Sequence, residues 1–237
     1  RAMSMRVVLG LALLASLGPS ACGNPAPPPA GPGLLDPTSI PKFVEPLVVP
    51  PEMPFAAEAA GVREYHVAVR QISQQVLPPG FGATPVFAYG AVGRADTFHY
   101  PGFTIEARAN TRLRIKWVNG LVDDTGAYRP HLLPVDPTLY WANPLGPRDG
   151  HGSGLAAYAG PVPIVTHVHG AHVADHSDGY PQAWYLPAAS NLPAGTFRQG
   201  SRYAEAPGAV HEDGAAWFEY GNDQPAATLW YHDHALG

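Results

Sequence analysis

The residues of this chain best placed to do chemistry are two His-x-His pairs, His167-Val168-His169 and His232-Asp233-His234. Histidine is the commonest metal-binding side chain, and these pairs hold four of the eleven histidines. On a β-strand, residues i and i+2 point to one face with Cα atoms roughly 6.6 Å apart. Two imidazoles at that spacing can grip one metal ion or reach two neighbouring ones. Two such strands side by side would bring four ring nitrogens to one small volume.

All-imidazole ligation suits copper, zinc, iron or nickel, whereas magnesium and calcium require oxygen donors. A zinc hydrolase also uses His-x-His on a strand. The metallo-β-lactamase pattern, however, places an Asp two residues after the second histidine with another His beside it. Here Ala171 and His172 stand at those places, Asp175-His176 comes too late, and no HExxH helix is present. Between the pairs runs GAHVADHSDGYPQAW (170–184). Its Ser177-Asp178-Gly179 reads as a tight turn, or as placing the Asp178 carboxylate near the metal as a proton relay. His172 and His176 read as loop residues rather than ligands, and His66, His99, His131, His151 and His211 as structural histidines.

Strands must position these pairs. In VPIVTHVH (162–169), Pro163, Val165, His167 and His169 share one face; in TLWYHDH (228–234), Trp230, His232 and His234 do. RLRIKWV (112–118) alternates cleanly, with Leu113, Ile115 and Trp117 inward and Arg112, Arg114 and Lys116 outward. Tyr65, Val67 and Val69 share a face, and PVFAY (85–89) and FTIEA (103–107) are shorter candidates. Asn119-Gly120 and Pro147-Arg148-Asp149-Gly150 read as turns. No segment sustains an amphipathic helix pattern. Glycine and proline total 26 and 28 of 237 residues, a density that breaks helices and suits a β-sandwich or barrel.

The chain is 46% hydrophobic and 14% charged, with a net charge of −5. That length suffices for a sizeable core, and the acidic balance excludes a nucleic-acid partner, which needs a basic face. Arg1 and Arg6 precede the apolar run VVLGLALLASL (7–17), then Gly18-Pro19-Ser20-Ala21 and Cys22. Residues 1–22 thus read as an export signal, too short to span a membrane permanently. The protein is expected to be periplasmic, extracellular or lipid-anchored at the cell surface. Cys22, the single cysteine, stands where bacterial lipoproteins accept lipid, although Pro19 departs from the usual aliphatic residue of that motif. Residues 23–42 read as an extended, disordered Pro/Gly-rich linker, and residues 43–237 as the folded domain.

HVHGAHVADHSDGYPQAW (167–184) and NDQPAATLWYHDHALG (222–237) resemble the N-terminal cupredoxin domain of multicopper oxidases, in the spore-coat-laccase and bilirubin-oxidase-like branch. FVEPLVVPP (43–51), FHYPGFTIEARANTRLRIKWVN (98–119) and HLLPVDPTLYWANP (131–144) share the likeness. The resemblance implies an all-β, cupredoxin-like Greek-key sandwich or barrel, ending at Gly237 before its final strand. It implies a copper-dependent oxidoreductase that couples one-electron oxidation of a reducing small molecule or metal ion to reduction of dioxygen to water. By motif, His167 resembles a type 2 copper ligand, and His169, His232 and His234 resemble ligands of the type 3 pair. Asp178 matches an acidic residue tied to proton delivery.

The family's trinuclear cluster takes eight histidines, four of them from C-terminal cupredoxin domains that this sequence does not include. Its type 1 site takes a cysteine flanked by histidines, and Cys22 lies in the export segment. The chain by itself is therefore expected to supply half of the cluster and to show no laccase activity. The alternatives are a non-catalytic copper-binding cupredoxin module and, behind it, a zinc-dependent hydrolase.

Overall fold

The computed structural model describes residues 34–136, 138–150 and 157–236. Residues 1–22, read above as an export signal, with Cys22, the first part of the stretch read as a linker, and His151 lie outside the described residues. The chain divides into two units, Arg1–Ile40 and Pro41–Gly237. In the first, Pro37–Ser39 forms a single 3-10 turn where the sequence predicts disorder. The Asp36 carboxylate explains it, accepting hydrogen bonds from the Thr38 amide at 2.8 Å and the Thr38 hydroxyl at 2.7 Å.

The second unit is built on five strands: β1 (Ala57–Ala59), β2 (Val62–Gln74), β3 (Thr84–Ala91), β4 (Leu113–Asn119) and, after a long excursion, β8 (Ala215–Tyr220). The sheet runs β1-β2-β4-β8, with β3 also on β2. Only β2 and β4 are parallel; the β1, β3 and β8 pairings are antiparallel.

Period-two patterning explains the sheet's inner face. Leu113, Ile115 and Trp117 of β4 are buried to 3%, 2% and 1% exposure. The register sets Tyr65 and Val67 of β2 against Ile115 and Trp117, and Phe218 and Ala216 of β8 against the same two residues. Each fully buried large apolar side chain contributes about 1.5–3 kcal/mol relative to an exposed one. On the opposite face, the Arg114 guanidinium sits 5.1 Å and the Lys116 ammonium 5.9 Å from the Trp217 ring centre.

Two short ribbons complete the unit: β5 (Trp141–Ala142) with β6 (Asp149–Gly150), and β7 (Thr166–His169) with β9 (Trp230–Asp233). Among the described residues the sheets do not close into a barrel, helical structure is confined to three-residue 3-10 turns, and no helix is long and apolar enough to cross a membrane. This is the all-β class that the sequence predicts, in open form.

Four local expectations change. Asp149–Gly150, expected within a turn, form β6 against Trp141–Ala142. Residues 103–107 form no strand, keeping only an isolated bridge from Thr104 to Glu52. The strand expected over 162–169 is ladder-paired only at Thr166–His169; upstream, Ile164 keeps an isolated bridge to Tyr185 and the Val165 amide is taken by the Asp233 carboxylate instead of a strand partner. Asn119, expected in a turn, is the buried end of β4. Its amide donates to the Val162 carbonyl at 2.9 Å and the Tyr185 carbonyl at 3.1 Å. One side chain thereby ties the large sheet to the segment that leads into β7.

Candidate metal centre

Strands β7 and β9 are antiparallel, with His167 directly opposite His232 and His169 opposite Trp230. Strand β7 presents His167 and His169, β9 presents His232, and His234 follows directly after β9, so the four rings converge. Ring centres of His167 lie 5.5 Å from those of His169 and His232 and 4.8 Å from that of His234. Those of His232 lie 5.8 Å from His169 and 5.3 Å from His234. Ring nitrogens of His167, His169 and His232 fall within 4.8 Å of one another, a spacing that can hold a metal ion. His234 stands outside that trio but stacks on His167 at an interplanar angle of 27°.

Main-chain acceptors fix which nitrogen is free. His167 Nδ1 donates to the Asp178 carbonyl, His234 Nδ1 to the Gly179 carbonyl at 3.0 Å, and His232 Nδ1 to the Asp233 carbonyl at 2.7 Å. A carbonyl only accepts, so in all three rings the proton sits on Nδ1 and the lone pair on Nε2. The Nε2 of His232 is buried and has no hydrogen-bond partner among the described residues. Such an orphan costs stability unless something fills it, and a metal ion is the occupant its lone pair suits. Burial also lowers the His232 pKa, favouring the neutral, ligating form, although the Asp233 carbonyl works in the opposite direction.

Other site residues are placed as follows. The Asp178 carboxylate lies 3.8 Å from His167 Nδ1, beside the nitrogen that faces away from the free lone pair. His172 is exposed, 3.6 Å from the Asp223 carboxylate, and His176 bonds the Ser177 hydroxyl at 2.7 Å; neither joins the cluster. Asp233, between the paired histidines, accepts from the Val165 amide at 2.9 Å and so holds β9 to the approach of β7.

Two contributors escaped sequence reasoning. Trp230 is co-facial with His232 by period, but its stacking on His169 depends on cross-strand register. Gly179 was visible only as part of an Asp-Gly turn signal. It has φ +75°, and a Cβ there would run into the Thr166 carbonyl oxygen, with the Thr166 carbonyl carbon at 2.9 Å. Glycine lets the loop lie directly on β7.

No family model matches the chain. It is 36% identical over 177 residues to "Multicopper oxidase LPR1 homolog 3" of Oryza sativa subsp. japonica, covering 73% of this chain and 24% of that protein. It is 31% identical over 198 residues to a laccase of Bacillus stratosphericus, covering 82% of this chain and 30% of that one. The chain belongs to the multicopper oxidase family. It spans under a third of the length of either relative. Among solved structures, a multicopper oxidase from Campylobacter jejuni matches 85% of this chain and 27% of its own at 17% identity, with a TM-score of 0.47. Membership of this family disfavours the zinc-hydrolase and non-catalytic readings.

Proposed function

We propose that this chain supplies half of the histidine ligands of a trinuclear copper centre in a laccase-like oxidase, on a cupredoxin-like domain. His167 is assigned to the type 2 copper and His169, His232 and His234 to the type 3 pair. The remaining ligands and the type 1 site come from further cupredoxin domains. The observation that carries the reading is the convergence of four imidazoles, three with Nδ1 bound to a carbonyl, around the unpartnered Nε2 of His232.

The chemistry such a centre supplies when bound is reduction of dioxygen to water, coupled to one-electron oxidation of a reducing small molecule or metal ion. This chain's own residues hold and orient. The carbonyls of Asp178, Gly179 and Asp233 keep the proton on Nδ1 of their histidines. The Asp178 carboxylate, next to His167, is assigned the holding and passing of a proton. Export is part of the same proposal, supported by Arg1, Arg6, the apolar run 7–17 and, for lipid anchoring, Cys22; fractionation of cells expressing the chain tests it.

The metal assignment is tested by titrating the purified chain with Cu(II) and with Zn(II) and measuring bound metal. Copper held stoichiometrically, and released when His167 and His232 are both replaced by Ala, is the expected result. Preferential retention of zinc, or copper binding indifferent to both replacements, would overturn it.

A further inference from the structure

The loop Ser177-Asp178-Gly179 touches the site through its main chain at two points. Consecutive carbonyls, those of Asp178 and Gly179, accept from Nδ1 of His167 and of His234. His167 lies on β7 and His234 directly follows β9, and theirs are the two rings that stack at 4.8 Å. Consecutive carbonyls of an extended chain point to opposite sides. The left-handed conformation of Gly179 breaks that alternation, and both acceptors turn toward the rings. The loop is itself anchored: the buried Ser177 hydroxyl accepts from the Glu219 amide of β8 at 2.9 Å.

Resting on the copper reading above, we infer that Gly179 is a positioning residue. It seats a two-carbonyl clamp that sets the tautomer and relative pose of His167 and His234 before any metal arrives. The conformation alone does not demand glycine as strictly as the contact does. Gly208 has a nearly identical φ of +76° with nothing within 4 Å of a Cβ, whereas a Cβ at Gly179 meets the Thr166 carbonyl and lies 3.0 Å from the His167 Cα. Any side chain at position 179 lifts the loop off β7 and carries both acceptors away together. The part of the loop that matters for ligand geometry is thus its backbone, separate from the role assigned to the Asp178 carboxylate.

The test uses the 237-residue chain, nitrogen-15 NMR of its histidine rings in the metal-free state, and Cu(II) affinity by chelator competition. In the unsubstituted protein, both His167 and His234 are expected to carry the proton on Nδ1. Gly179→Ala is expected to give mixed tautomers at both rings and to weaken Cu(II) about 10- to 100-fold, the usual effect of losing partners that orient ligands. Gly208→Ala, with the same backbone strain in open space, is expected to change neither. A proton on Nε2 of either ring in the unsubstituted chain overturns the inference, and this holds even if Gly179→Ala does not fold. Retention of both tautomers in a folded Gly179→Ala also overturns it. Locked tautomers in a chain that binds no copper would sink the copper reading and leave the clamp standing.

Discussion

His169 and Trp230 face each other across the β7–β9 ladder and stack, ring centres 5.1 Å apart at 20°. The same indole stacks on His232 at 4.1 Å and 25°. His169 is the one ring of the four that makes no hydrogen bond among the described residues, and it is exposed. Where carbonyls fix the other three rings, an aromatic face restrains this one.

Replacing Trp230 by Ala is therefore expected to weaken Cu(II) binding about threefold to tenfold, since such aromatic pairs contribute ~0.5–1.5 kcal/mol. Trp230 is 57% exposed, so thermal stability of the metal-free chain should hardly change. Trp230→Phe should restore most of the affinity. Equal affinities for the Ala and Phe variants in a copper titration would show that the stack restrains nothing.

His232 offers a test in which stability and binding move apart. Its buried Nε2 is unpartnered in the metal-free state, a condition that costs ~1–3 kcal/mol. His232→Leu is expected to leave the metal-free protein as stable as the parent or more so, while Cu(II) affinity falls at least about 100-fold. Chemical denaturation without metal, paired with copper titration, reads both. A marked loss of metal-free stability would mean that the imidazole is structural.

The sheet-face pattern and the pairing of histidines by phase were legible in the sequence because both are local periodicities. Leu113, Ile115 and Trp117 are buried as alternation dictates. The register that sets His167 against His232 and His169 against Trp230 joins distant segments, and no local period encodes it. Residues 103–107 show the converse failure: they alternate like a strand, but only Thr104 finds a bridge partner. The carbonyl clamp was invisible for another reason. It is made by main-chain atoms, and the one side-chain trace it leaves is the lack of a Cβ at Gly179.

Alkaline pH should unfold the protein through its tyrosines. Burial raises the pKa of Tyr89, Tyr185, Tyr220 and Tyr231 above the ordinary value of 10.0. The unfolded chain gives up these protons near pH 10 and the folded chain does not, so stability falls as pH rises past that point. Tyrosinate absorbance should appear together with loss of near-UV circular dichroism. Full ionisation in a chain that keeps its native spectrum would contradict this.

Asn119→Leu removes the tie between β4 and the approach to β7. The carbonyls of Val162 and Tyr185 and the Leu121 amide, which reaches Asn119 Oδ1 at 3.3 Å, lose their side-chain partner together. A loss of about 3 kcal/mol is expected in urea denaturation, along with weaker copper binding as β7 loosens. A variant as stable as the parent would show that the segment is held elsewhere.

The bond from the Val165 amide to the Asp233 carboxylate joins residues 68 positions apart, and the chain between them includes β8, a strand of the large sheet. Closing so long a loop is entropically costly, and contacts of such sequence separation form slowly. The ribbon can bring its rings together only once the intervening chain is in place. The four-ring site is thus a late product of folding, absent until residues from both ends of this long loop have met.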